Sequence, residues 1–185
     1  MQSSGENLQV DNDYQPSLDA MNHVYLTKAY VYARQESEDS ITQNGALLVH
    51  PVHGPVVGAA NTFPENVELT PDRLERPTKY DYMVCAERNV IYKAASRGVN
   101  TSNMHLYCPF ISCPECAKAI VASGIKKVVG HKTIMDRLPE RWKEKCRTGI
   151  SILNEAGVYV LLWDGKVFSE KENFEILFDG KPFRP

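Results

Sequence analysis

Apolar residues recur along the chain at two spacings, and the switches between them mark its elements. Leu26, Ala29, Tyr30 and Ala33 repeat every three to four positions, the period of one helix face. Ser17 stands ahead of them as an N-cap, and the polar run "QESEDS" (35–40) closes the segment. Two short apolar runs follow, "GALLVHP" and "GPVVGAAN". They predict a strand pair joined by a turn containing Gly54 and Pro55. From Thr62 to Val84 the periodicity is lost and Pro64, Pro71 and Pro77 punctuate the chain. A loop of that length in a compact domain is usually functional or mobile.

Periodicity returns with Val90, Ile91, Ala94 and Ala95, the apolar face of a helix over Ala86–Arg97 that Gly98 stops. A strand "MHLYC", a helix opening at Pro114 and ending at Gly124, and a strand "KKVVGH" come next. Pro139 to Ala156 predicts a further helix closed by Gly157, and "VYVLLW" the last core strand. The tail from Asp164 to Pro185 adds a short helix over Glu170–Phe178. Alternating strands and helices predict an α/β fold, a mixed sheet covered on both faces. The polar, aperiodic start divides the chain into a flexible N-terminal arm over 1–17, one folded domain over 18–163 and a C-terminal extension over 164–185.

Size agrees with a single domain: 185 residues, 43% hydrophobic, fill one core and are too few for two. With a net charge of -2 and a pI of about 6.2, nothing pulls the chain globally toward nucleic acid or anionic membrane. A small-molecule partner fits better. No apolar run approaches the roughly 18 residues of a membrane span, and "MQSSGENLQVDNDYQPS" lacks the pattern of a secretory signal. The expected location is cytoplasmic. Five cysteines are an odd number, and three of them carry metal-like spacing, which in a reducing compartment points to ligation rather than disulfides.

Those three are Cys85, Cys113 and Cys116. The last two form a C-x-x-C pair before a predicted helix, and Glu87 lies two residues beyond the first. Three protein ligands leave a fourth tetrahedral position for water, the arrangement of a catalytic zinc. Cys85 and Cys113 each precede a predicted helix, whose positive N-terminal end favours a thiolate. Zinc lowers the pKa of bound water toward about 7, and a nearby carboxylate can relay its proton. The alternatives for this set are a structural zinc knuckle or buried cysteines.

"CAERN" followed by "CPECAKAI", with 27 residues between Cys85 and Cys113, resembles the zinc-dependent cytidine and deoxycytidylate deaminase superfamily, whose signature is H-x-E…P-C-x-x-C with a three-cysteine variant. The likeness runs over roughly Ala20–Trp163. "ERPTKYDYMVCAERNVIY" and "CAKAIVASGIKKVV" look most like the deoxycytidylate deaminase branch. It implies a three-layer α/β/α cytidine deaminase-like fold with a five-stranded mixed sheet, a Zn2+ cofactor and a homo-oligomer, dimer or hexamer. The implied zinc ligands are Cys85, Cys113 and Cys116, with Glu87 as the proton shuttle. Asn61 matches the sugar-binding asparagine, the Ala86 N–H the donor to the base carbonyl, and Phe110 a wall of the base pocket. The implied reaction is hydrolytic deamination of a cytosine nucleotide, dCMP to dUMP with release of ammonia. Free cytidine or deoxycytidine, another base such as guanine, and a noncatalytic nucleotide-binding module are the alternatives.

The chain departs from that branch in three places. Cys85 replaces a histidine, Ser112 a proline and Thr62 a glycine; the first resembles the C-A-E-R of free-nucleoside deaminases. A third thiolate adds negative charge to the cluster, and Arg88 is the candidate to offset it. Arg73, Arg76 and Lys79, in the long loop, are candidates for a substrate phosphate, against the reading of a solvated mixed-charge loop. Cys108 and Cys146 read as packed free thiols. His50 and His53, an isolated H-x-x-H pair, and the scattered His23, His105 and His131 read as surface or core residues.

Overall fold

Ser17 caps the first helix, α1 (Leu18–Glu36), its hydroxyl accepting the Ala20 N–H at 3.2 Å. The computed structural model describes residues 17–185; all of the expected arm except Ser17 lies outside the described residues. Leu26, Ala29, Tyr30 and Ala33 are fully buried, so the helical period of the sequence is the face α1 lays on the sheet.

The sheet has five strands in the order β2-β1-β3-β4-β5: β1 (Gly45–His50), β2 (Gly54–Ala60), β3 (His105–Tyr107), β4 (Lys127–His131) and β5 (Tyr159–Trp163). β1 runs antiparallel to β2 and β3, whereas β3, β4 and β5 are parallel. The sheet is mixed, as the strand and helix alternation predicts. The hairpin turn is displaced from its expected place, because Gly54 and Pro55 already pair within β2 and Pro51–His53 make the turn.

Helices α4 (Ala86–Ser96), α5 (Pro114–Ala122) and α7 (Glu140–Glu155) form a connected layer, α4 against β1 and β2, α5 against α4 and α7. Gly98, Gly124 and Gly157 follow them with φ of 68°, 75° and 74°, the left-handed backbone that ends a helix. Two four-residue helices, α2 (Pro71–Leu74) and α3 (Lys79–Tyr82), lie in the long loop, and α6 (Lys132–Met135) follows β4. Periodicity cannot register elements of one turn.

The tail differs from its predicted helix. After a short 3₁₀ turn (Glu170–Glu172), Asn173 takes φ 45° and breaks the helical path. The chain then forms an antiparallel hairpin, β6 (Ile176–Phe178) with β7 (Lys181–Phe183). Asp179 and Gly180 turn it with φ of 52° and 75°, the positive pair that a two-residue hairpin turn requires. Ile176, Phe178 and Phe183 are buried, so the segment follows the strand period of two. The Gln43 N–H donates to Leu177 O and the Gly180 N–H to Ile41 O, both at 2.8 Å, sewing the hairpin to the segment before β1. No helix among the described residues is long and apolar enough to cross a membrane.

Candidate active site

Two helix starts converge on one cluster of sulfur. Cys85 is the N-cap of α4 and Cys113 the N-cap of α5, with Cys116 in the first turn of α5. Because α4 packs against α5, the three Sγ atoms fall within 4.8 Å of one another. A tetrahedral ion with Zn–S bonds of about 2.3 Å separates its sulfurs by about 3.8 Å, so these thiols fit one zinc and leave one position for a non-protein ligand. Cys113 Sγ also accepts the Cys116 N–H at 3.5 Å. Contact with Cys116, then with Cys85, draws the Cys113 thiol far below its ordinary range. Both helix ends direct partial positive charge at the cluster.

Glu87 projects from the first turn of α4 and is 3% exposed. Burial, and after it the neighbouring Cys113 charge, pushes its carboxyl up to about 8. The Ser112 hydroxyl, 1% exposed, donates to Glu87 Oε1 at 3.4 Å. Proline, which Ser112 replaces, could make no such bond. Arg88 Nη2 lies 3.9 Å from Cys85 Sγ, in position to offset thiolate charge.

Asn61 sits one residue past β2, where both halves of its amide bond the backbone. Oδ1 accepts the Ala86 N–H at 2.8 Å and Nδ2 donates to Thr42 O at 3.0 Å. The Ala86 N–H, expected to meet a base carbonyl, is thus directed at Asn61 in this structure.

The cluster opens into a cavity of about 410 Å³ that Asn61, Glu87, Arg88 and Phe110 also line. Its size suits a small organic ligand. Asn44, 3% exposed, fixes Phe110 from both sides, donating to Phe110 O at 3.0 Å and accepting the Phe110 N–H at 3.3 Å. Phe110 meets Trp142 edge-on at 6.2 Å and Phe178 at 5.6 Å. α7 and the terminal hairpin therefore complete the aromatic wall. Sequence reasoning missed Asn44, Trp142 and Phe178, because their partners are 66, 32 and 68 positions away in the chain. Only for Phe178 was there a local signal, the Asp-Gly turn beside it.

The three loop cations have different fates. Lys79 is buried and donates to both oxygens of buried Asp39, at 2.8 and 2.7 Å; removing it from water required that partner. It lines the cavity with its charge already matched by Asp39. Arg73 donates to Glu68 O and lies 4.5 Å over the Tyr82 ring, away from the cavity wall. Arg76 lines the cavity and pairs with Asp179 at 3.1 Å. Cys146 is buried on the wall, and Cys108, fully buried, donates to Phe110 O at 3.4 Å. His50 and His53 stack at 4.5 Å, and among the described residues no third candidate ligand groups with them, while His131 is buried between Tyr30 and Gly165.

Residues 20–132 match the family model described as "Cytidine and deoxycytidylate deaminase zinc-binding region". The chain belongs to this family. The deaminase is 32% identical over 125 residues to an "Uncharacterized deaminase in luxG 3'region" of Aliivibrio fischeri, covering 67% of this chain and 81% of that one. It is 34% identical over 112 residues to a "Deoxycytidylate deaminase" of Mus musculus, covering 57% and 61%. It is 32% identical over 118 residues to a "Probable deoxycytidylate deaminase" of Drosophila melanogaster, covering 57% and 56%. The chain thus spans little more than half the length of these last two. The dCMP deaminase of the cyanophage S-TIM5, solved in complex with dCMP and dUMP, shares the fold with a TM-score of 0.64 at 22% identity, over 81% of this chain and all of that one. The protein is a zinc-dependent deaminase, a hydrolase, and its three-cysteine cluster is consistent with the family's zinc site.

Proposed function

We propose that the protein deaminates a cytosine nucleotide, converting dCMP to dUMP with release of ammonia. The observation that carries this reading is the buried Glu87 carboxyl beside the three cysteines in a cavity of about 410 Å³ walled by Phe110. The mouse relative bears the name "Deoxycytidylate deaminase" and the fly relative "Probable deoxycytidylate deaminase", and the cyanophage enzyme with this fold was solved in complex with dCMP and dUMP.

Cys85, Cys113 and Cys116 would hold the zinc, whose chemistry when bound would be to activate a water toward C4, the ring carbon that carries the amine. Glu87 takes a proton from that water and places it on N3 of the base. Glu87 then takes the second proton from the hydroxyl now on C4 and passes it to the amine as the C4–N bond breaks and the C4 carbonyl forms. One water is consumed and one ammonia released. Burial of Glu87 suits it to a group that must hold a proton between two transfers. Phe110 packs on the base, and Asn61 keeps the start of α4 in register with β2, so that ligand and shuttle face the same ring. Arg88 offsets the charge of the third thiolate.

The test is ammonia release from dCMP, CMP, dCTP, deoxycytidine, cytidine and guanine, with and without chelator. The expected result is a clear preference for dCMP that chelation abolishes. A preference for free nucleosides, toward which the C-A-E-R sequence leans, overturns the nucleotide assignment. Glu87→Gln is expected to retain zinc and lose about 10²–10⁴-fold in turnover; retained turnover overturns the role of Glu87.

A further inference from the structure

Most charges along the cavity wall are already matched. Lys79 is paired with Asp39, Glu115 with Lys118, and Arg88 faces Cys85. What stays unmatched lies at one rim. Arg76 Nη2 and Arg141 Nη2 both donate to Oδ1 of Asp179, so two guanidinium groups share one carboxylate. Lys145, one turn after Arg141 on the same face of α7, lines the cavity and has no carboxylate partner among the described residues. Its ammonium lies 5.2 Å from the centre of the Trp142 ring, which packs against Phe110 and, at 5.9 Å, Tyr80. Three cations thus stand against one anion, next to the aromatic wall that ends in Phe110.

The position of Asp179 is set independently of these cations. It occupies the tip of the terminal hairpin, where its N–H donates to Thr42 Oγ1 at 3.3 Å and the adjoining Gly180 N–H to Ile41 O at 2.8 Å. A carboxylate anchored this way orients the guanidinium groups without neutralising them. Each guanidinium has five N–H donors, and sharing Asp179 leaves several free. Arg141, Lys145 and Asp179 all lie beyond residue 132, where the family match ends.

We infer that Arg76, Arg141 and Lys145 form an anion-reading rim that takes the phosphate monoester of the substrate, with Asp179 as the residue that positions the two guanidinium groups. This rests on the reading of the site as a cytosine nucleotide deaminase and specifies how a monophosphate is told from a free nucleoside. Guanidinium forks match phosphate oxygens, and a dianion supplies the charge the rim lacks. Nucleotide preference is then a property of α7, the long loop and the terminal hairpin, distinct from the zinc region.

The test compares kcat/KM for dCMP with that for deoxycytidine in zinc-loaded protein. Arg76→Met and Lys145→Met are each expected to lower the dCMP-to-deoxycytidine ratio about tenfold, the double variant about a hundredfold, for the loss of charge-assisted bonds. Lys132→Met, a cation remote from the cavity wall, serves as control and is expected to hold the ratio. A wild type that prefers dCMP while both single variants keep the ratio within about twofold overturns the rim and leaves the functional reading standing. A wild type that deaminates no cytosine compound overturns the functional reading instead. The rim is then decided by calorimetric titration with inorganic phosphate: binding weakened in both variants supports it, and binding absent from the wild type or equal in all three overturns it.

Discussion

The Ala86 N–H donates to Asn61 Oδ1 at 2.8 Å, tying the end of β2 to the peptide between the cysteine at 85 and the glutamate at 87. Ala86 is fully buried and Asn61 8% exposed, so water cannot replace either partner. The bond ties a residue outside α4 and α5 to the first turn of the helix that carries Glu87.

Asn61→Ala leaves the Ala86 N–H buried and unsatisfied, at a cost of about 1–3 kcal/mol. A matching loss of stability in urea unfolding of the zinc-loaded protein is expected, together with a lower kcat. Unfolding that coincides with the wild type would show that the clamp is dispensable.

Ser112→Ala removes the 3.4 Å bond to Glu87 Oε1 and little else. The expected loss is about 1 kcal/mol, ~5-fold in kcat, with the zinc-to-protein ratio intact. Ser112→Pro, which restores the family's residue, should lose the same factor. Equal turnover in all three proteins would remove Ser112 from the mechanism.

Lys79→Met strands Asp39, 5% exposed, without its counter-ion, and about 3–5 kcal/mol of destabilisation is expected. Adding Asp39→Asn should restore most of it, since an amide oxygen can still accept the Ile41 and Thr42 N–H groups that Oδ1 accepts now at 2.9 and 3.0 Å. Thermal unfolding of the two singles and the double measures the coupling; additive losses would contradict a direct pair.

Gly149→Ala in the middle of α7 would stabilise an ordinary exposed helix by about 1 kcal/mol. Here the sign reverses, because the added Cβ would lie 2.0 Å from Ser112 O and force α7 away from the segment leading into Cys113. A lower Tm and a reduced zinc content are expected, read by calorimetry and metal analysis. A raised Tm would show that α7 does not need this close approach.

Where the code is local, the sequence could be read directly. Leu26, Ala29, Tyr30 and Ala33 announce α1, Pro114 opens α5, and three glycines with positive φ end α4, α5 and α7. The Asp179-Gly180 turn was also present in the sequence, flanked by Ile176 and Phe178. The charged residues before it favour a helix reading until tertiary burial of Ile176, Phe178 and Phe183 selects a hairpin. Local propensity is a weak prior against that burial.

The sequence by itself made the candidate chemistry legible: Cys85, Glu87, Cys113 and Cys116 each stand at the start of a helix, and helix starts are read from neighbouring residues. Only the tertiary structure decided what surrounds that chemistry. It paired Lys79 with Asp39, set Asn44 behind Phe110, and brought Arg76, Arg141 and Asp179 to one rim. Helix starts are written in adjacent residues, whereas a charged side chain in a loop takes its partner from whatever the packed sheet brings beside it.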